Sequence, residues 1–273
     1  MSWKDKFPKE NRYFETENGI LYNGNCIEIM KAFPEDSIDL IVTSPPYNLG
    51  IRYDTWDDTM PPEEYFDFVE QFLLLFKTVL KVDGRFAINV PYDINMKHTG
   101  DHLRLSLACE YYSLLKKAGL KYTAIVDLVE RQPERVKYTA WGSWLSPSAP
   151  YIYNPKECVL IGYKEQWKKV ADGESTIKSG ELFKEITSGM WKYTAETSGL
   201  TVANFSMDLP YKAIQGLSYK NDIVLDCFAG SGTTLMVAEG LQRRWIGIEI
   251  SKNYCDIIKK RYGLGCYLFE DIS

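Results

Sequence analysis

Apolar and polar positions along the chain alternate between two periods. "SIDLIVT" (37–43) is a short, nearly continuous apolar run, the pattern of a strand buried on both faces. Residues 63–80, "EEYFDFVEQFLLLFKTVL", instead space apolar side chains three and four apart, which predicts an amphipathic helix. "RFAINVP" (85–91) then reads as strand, 102–117 as helix, and "YTAIVDLVE" (122–130) and "ECVLIGYK" (157–164) as strands. Further on, "NDIVLD" (221–226) is a strand, 233–244 a helix and "WIGIEI" (245–250) a strand. A helix over 252–262 follows, with Ser251 placed as its N-cap. Strands alternating with helices of this length predict an α/β fold, a Rossmann-like, doubly wound and mostly parallel sheet covered on both faces. Two stretches, 131–156 and 165–200, keep neither period. An insertion that reads a substrate would sit there, because long irregular segments inside compact domains are commonly functional.

A chain of 273 residues can bury one large core, and its 45% apolar and 25% charged content is that of an ordinary globular protein. No apolar run approaches a membrane span, and "MSWKDKFPKEN" lacks a signal-peptide core, so the cytoplasm is the expected compartment. The six cysteines form no C-x-x-C pair, which predicts reduced, mostly buried thiols and no metal centre. With His98 and His102 the only histidines, a Ser-His-Asp triad is disfavoured. The net charge is −5, yet residues 111–170 carry ten Lys and Arg against five Asp and Glu. A basic middle in an acidic protein suits a local polyanion-binding face, and equally an ordinary solvated one.

Two stretches carry candidate chemistry. In "DIVLDCFAGSGTT" a strand ends at Asp226 and the chain turns through Gly230 and Gly232 into a helix near Thr233. Glycine there tolerates positive φ and lets backbone approach a ligand. The next strand brings Glu249, 23 residues after Asp226, about where nucleotide-binding sheets place an acid for ribose hydroxyls. Leu235 breaks the dinucleotide fingerprint and no P-loop lysine is present, so an adenosine ligand without phosphates, such as S-adenosylmethionine, fits better. The second stretch is "TSPPYN" (43–48), where a buried strand ends on a hydroxyl, two prolines, an aromatic ring and an amide. Fixed φ at Pro45 and Pro46 makes this a rigid shelf.

TSPPYN and FAGSGTT together resemble the amino-group DNA methyltransferases that modify N4 of cytosine or N6 of adenine. With the catalytic motif first, the order resembles that of their β group. "GSWLSPSAP" (142–150), "NPKECVLIGYK" (154–164) and "GMWKY" (189–193) extend the match over most of residues 20–262. The resemblance implies one domain over 1–273, with a catalytic half at about 20–164 and a cofactor half at about 201–262. Between them lies a target-recognition insertion at about 165–200, with 131–156 also facing DNA. It implies S-adenosylmethionine as cofactor, held by Asp226, Phe228, Ala229, Gly230, Ser231, Gly232, Thr233 and Glu249, with Asn25 and Phe205 as further contacts. Ser44, Pro45, Pro46 and Tyr47 would be catalytic: Ser44 Oγ and the Pro45 carbonyl accept from the amine and Tyr47 stacks on a flipped base. Arg131, Arg135 and Lys137 are the expected phosphate contacts; Trp141 and Trp144 suit close approach to DNA. Asn48 opens a loop, "NLGIRYDTWDD" (48–58), expected to close over the base. Serine at the head of the motif favours cytosine over adenine. Double-stranded DNA is the implied partner, with a cognate restriction endonuclease as functional partner. RNA or protein methylation, a non-catalytic DNA-binding module and a nicotinamide oxidoreductase are the competing classes.

Overall fold

The computed structural model describes residues 2–99, 103–132, 142–152, 154–194 and 206–265. The chain runs from strands β1 (Arg12–Glu15) and β2 (Gly19–Asn23) through helix α1 (Cys26–Lys31) to β3 (Ile38–Thr43). Helix α2 (Pro62–Val79) leads to β4 (Leu80–Pro91), a hairpin of β5 (Asp93–Met96) and β6 (Leu103–Ser106), helix α3 (Leu107–Lys117) and β7 (Lys121–Glu130). Then come β8 (Glu157–Tyr163), α4 (Gly180–Ile186), β9 (Met190–Tyr193) and α5 (Asp208–Leu217). The described elements end with β10 (Ile223–Asp226), α6 (Thr233–Gly240), β11 (Arg244–Glu249) and α7 (Lys252–Gly263).

One nine-stranded sheet has the order β1-β2-β11-β10-β3-β4-β8-β7-β9. Its centre, from β2 across to β4, is wholly parallel, whereas β1 and β8 run against their neighbours. The expected mostly parallel, doubly wound sheet is therefore present. From β3 the chain winds outward to β4, and from β10 it winds the other way to β11. The switch point lies between β3 and β10, where open α/β sheets bind ligands outside the carboxyl ends of the strands. Both stretches singled out in the sequence, TSPPYN after β3 and FAGSG after β10, emerge there.

Helices α1, α2 and α3 pack on one face of the sheet, and α5, α6 and α7 on the other. Helix α2 forms because Tyr65, Phe68, Val69, Phe72, Leu73, Phe76 and Val79 make one buried stripe, with Pro62 in its first turn and Glu63 and Glu64 favouring the positive end of the dipole. Ser251 caps α7 as the sequence predicts, accepting from the Tyr254 amide. The helix read from 102 starts only at Leu107, because 103–106 pair with 93–96. The helix read to 244 ends at Gly240, and the Arg243 side chain is buried, bonded to Ser218, Thr176 and the Leu241 carbonyl. The aperiodic stretch 165–200 contains α4 and β9. Helix α4 buries only Ile186, so it leaves no apolar stripe to detect. Of the cysteines among the described residues, all but Cys109 are buried, and none is in a disulfide.

Side chains pin the central pair β3 and β10 at both ends. Asp39 Oδ2 accepts from the Ile223 amide at 2.9 Å, and its Oδ1 pairs with Lys81 at 2.6 Å. At the other end Thr43 Oγ1 donates to Asp226 Oδ1 at 2.6 Å, and both residues are buried. We expect Thr43→Val to cost about 1–3 kcal/mol in urea unfolding, since it strips a partner from a buried carboxyl. A loss below about 0.5 kcal/mol would show that the latch does not hold the strands.

Candidate active site

The shelf after β3 is organised by hydrogen bonds at its ring. Tyr47 Oη lies 2.7 Å from Ser44 Oγ; it donates to the Asn89 main-chain carbonyl at 3.1 Å and accepts from Asn89 Nδ2 at 2.8 Å. The phenol has one proton, so spending it on Asn89 leaves Ser44 to donate its own proton to Tyr47. Ser44 Oγ then turns its lone pairs outward as an acceptor. Burial pushes the Tyr47 hydroxyl well above its ordinary range, so the phenol stays protonated. Behind the shelf, Tyr65 from α2 donates to the Pro46 carbonyl at 3.1 Å. Asn89 Nδ2 also donates to Glu157 Oε2 at 2.5 Å, carrying the network to the first residue of β8.

Across the switch point the chain turns through Gly230 at φ +52° and Gly232 at φ +80°, left-handed values that glycine adopts without strain. A Cβ at Gly232 would also lie 2.8 Å from Ile258, so the bend needs the missing side chain as well as the φ. Glu249 closes the bend: its Oε2 accepts from the Gly230 amide and its Oε1 from the Ser251 amide, each at 2.8 Å. Burial pushes the Glu249 carboxyl up to about 7 against these bonds. Phe228 is backed by Phe68 and Phe72 of α2. Asn25 caps α1, accepting from the Ile27 and Glu28 amides.

The shelf and the bend line one cleft of about 1200 Å³, its open mouth included. Of the sequence-predicted residues, Asn25, Ser44, Pro45, Pro46, Tyr47, Phe228, Ala229, Gly230, Ser231 and Glu249 meet in its wall. Asp226, Gly232 and Thr233 do not. Asp226 lies beneath the floor, where its Oδ1 accepts from Thr43 and the Phe228 amide and so latches the two strands. Gly232 and Thr233 start α6 behind the bend. Asn48, expected at DNA, is 1% exposed at φ 59°, with Nδ2 donating to the Met60 carbonyl and Oδ1 accepting the Met60 amide. Arg131, expected at phosphate, pairs with Asp208 at 3.2 Å and ties the end of β7 to the start of α5. Trp144 is 68% exposed on a loop closed by the Gly142–Pro150 bridge. Arg135, Lys137, Trp141 and Phe205 lie outside the described residues.

The loop over 48–58 is tied down within the protein. Asp58 gathers the amides of Asn48, Leu49 and Ile51 at 2.9–3.0 Å, and Trp56 packs on Phe68. Asp54 reaches across to Ser251 Oγ at 2.5 Å and Asn253 Nδ2 at 3.1 Å. The strap thus roofs the bend side of the cleft, and its acidic residues are tied within the protein. Sequence reasoning missed Asn89, Glu157, Tyr53 and Tyr254 in the wall. Glu157 had left a signal, a carboxyl opening the otherwise apolar run "ECVLIGY". Among the described residues no three His, Cys, Asp or Glu side chains gather as metal ligands, and no helix is long and apolar enough to cross a membrane.

Comparison with known proteins agrees with this geometry. Residues 38–260 match the model of the N6/N4-type DNA methylase family. The chain is 42% identical over 184 residues to the type II methyltransferase M.MjaVI of Methanocaldococcus jannaschii, across 66% of this chain and 88% of that protein. A Thermus thermophilus protein assigned as a DNA modification methylase, solved with S-adenosyl-L-methionine, superposes with a TM-score of 0.70 at 25% identity, covering 89% of this chain and 93% of that one. The PvuII DNA methyltransferase, described as cytosine-N4-specific, shares the fold with a TM-score of 0.69 at 23% identity over 97% of this chain and 92% of its own. With its shelf motif preceding its glycine bend, the chain belongs to the β group of the N6/N4 DNA methylase family.

Proposed function

We propose that the protein transfers a methyl group from S-adenosylmethionine to N4 of a cytosine flipped out of duplex DNA. The observation that carries this reading is a single cleft holding an acceptor-oriented Ser44 on one side and the Gly230–Glu249 bend on the other. The cofactor fits the cleft by charge. Asp54 and Glu249 line it and, among the described residues, no Lys or Arg does, which suits a cationic, phosphate-free nucleoside and opposes a dinucleotide. Hydrogen bonds from Ser251 and Asn253 hold the Asp54 carboxyl below its usual range, so one wall group is an anion. Glu249 would take the ribose hydroxyls on its remaining lone pairs, with Phe228, Asn25 and Tyr53 enclosing the rest. When bound, the sulfonium supplies an electrophilic methyl group.

The protein's own part is positioning. Ser44 Oγ and the Pro45 carbonyl would accept the two amino hydrogens, favouring the rehybridised nitrogen that forms as its lone pair leaves conjugation. Tyr47 contributes through its hydroxyl, which orients Ser44, while its ring forms part of the wall against the base. The catalytic half (about 20–164) and the cofactor half (about 201–262) would then meet at the β3–β10 switch point. DNA would approach along 131–156 and 165–200, where Trp144 stands at the surface. Serine at the head of the motif favours cytosine, and relatives named as type II methyltransferases favour a role beside a restriction endonuclease.

Three outcomes test this reading. Digested DNA product should contain N4-methylcytosine; N6-methyladenine alone would reassign the base. Ser44→Ala should lower methyl transfer about 100-fold or more while cofactor affinity changes less than about twofold, with Tyr47→Phe intermediate; full turnover in Ser44→Ala would remove the serine from the mechanism. The third concerns pH. Burial places Glu249 at about 7 in the folded chain against an ordinary 4.5, so its neutral form is favoured by folding and its stabilisation is lost as pH rises between those values. Donating hydroxyls favour the ionised form instead. Cofactor affinity should therefore rise up to about tenfold from pH 6 to 8 in calorimetry. Glu249→Gln should bind about 1–3 kcal/mol more weakly without that slope; an unchanged slope would place the titration elsewhere.

A further inference from the structure

The mechanism above leaves one half-buried carboxyl of the cleft unused. Glu157 lies at the antiparallel junction of β8 with β4, opposite Pro91 in register. Its Oε2 accepts from Asn89 Nδ2, whose other proton goes to Tyr47 Oη. The amide thus has both donors committed, and the carboxyl is held in one orientation. Among the described residues Oε1 has no hydrogen-bond partner and no Lys or Arg pairs with this group, although it lines the cleft. From Ser44 Oγ the links through Tyr47 and Asn89 to Glu157 Oε2 are 2.7, 2.8 and 2.5 Å. Those links join Glu157 to the network that orients Ser44, and both residues stand in the wall of the same cleft.

The geometry points to Glu157 as a specificity-determining residue that reads the base: Oε1 donates a hydrogen bond to the ring nitrogen beside the amino group addressed by Ser44. The assignment rests on the methyl-transfer reading above and names the ligand edge that the site selects. Cytosine N3 and adenine N1 are both bare acceptors next to an amine. In thymine and guanine the corresponding nitrogen carries a proton and its neighbour is a keto oxygen. A donor facing that proton, with Ser44 facing a carbonyl, leaves buried groups unpaired on both sides, and such sites reject the wrong partner most strongly. Burial raises the Glu157 carboxyl while the bond from Asn89 opposes it, which favours the neutral acid the contact needs. The titratable groups around it are Tyr47 on the shelf, Cys158 next in the strand, and Asp127 of β7, whose backbone pairs with Cys158 and whose carboxylate takes the Tyr92 hydroxyl. None is a cation that would hold Glu157 ionised.

The test replaces the target cytosine of a methylated oligonucleotide with 3-deazacytosine, which keeps the amino group and exchanges N3 for C–H. If product analysis gives methyladenine, 1-deazaadenine takes its place. Wild-type kcat/KM should fall about tenfold or more on the analogue. That ratio should shrink to within about twofold in Glu157→Ala and in Glu157→Met, which keeps the volume and removes the donor. Glu157→Gln, whose amide still donates, should retain the discrimination. A purely structural glutamate would lower both rates together and leave the ratio alone. Equal rates on both oligonucleotides in the wild type, or an undiminished ratio in the alanine and methionine variants, would overturn the inference. No turnover on any DNA would instead overturn the methyl-transfer reading itself.

Discussion

The hydrogen bond between Thr43 and Asp226 is the constraint on which the site depends. Strands β3 and β10 are neighbours in the sheet and distant in sequence, and each ends in a segment that cannot continue as strand. Proline stops one and glycine the other. Where those segments point is decided by the last residue before each break. Thr43 and Asp226 are those residues, and their bond fixes the shelf relative to the bend. The same carboxyl accepts the Phe228 amide at 3.1 Å, so Asp226 also starts the turn that it anchors. An acid at this position therefore has an architectural role, beside the ligand role that motif reasoning expects.

Upon that frame, proton counting gives the shelf its polarity. A serine hydroxyl can donate or accept, and in isolation Ser44 would do either. Tyr47 removes the ambiguity because its proton goes to Asn89, leaving its lone pairs to receive from Ser44 and from the Asn89 amide. Two tyrosines behind the shelf, Tyr65 and Tyr111, lie 3.1 Å apart in the core and hold its back through Pro46. The stiffness comes from ring hydroxyls and proline φ together, and not from the two prolines alone.

Much of this fold was legible because its core obeys simple periods. The central strands are short and apolar, α2 carries an unbroken stripe, and Ser251 caps α7. Strands β1 and β2 and helices α1 and α5 went unread. Helix α1 has only six residues, and none of the four of β1 is buried, so these two offer too little pattern. In the site, the Ser44–Tyr47 and Phe228–Ser231 wall was visible as motif, since rigid turns need particular residue types. The packing of Asn48 and Arg131 was illegible for the opposite reason: a polar side chain in a loop looks the same whether it faces solvent or caps its own backbone. Asn48 does the latter, spending its amide on Met60. Asn89 and Glu157 were hidden because their roles exist only where β4 meets β8, two strands separated by α3, β7 and the irregular segment.

Charge explains how such a cleft is compatible with a polyanionic substrate. Its wall is acidic or neutral throughout the residues described, so a phosphate entering it would meet Asp54 and Glu249 without a compensating cation. A neutral base has no such penalty. Under the proposed function this enforces a division of labour: the backbone must be held outside by the more basic 111–170 region while only the base crosses into the cleft. The strap adds to the separation. By pairing Asp54 with Ser251 and Asn253 it places that anion beside the ligand pocket. A sulfonium is favoured by the same field that turns phosphate away, so one arrangement of carboxyls serves both the choice of cofactor and the choice of which part of the DNA enters.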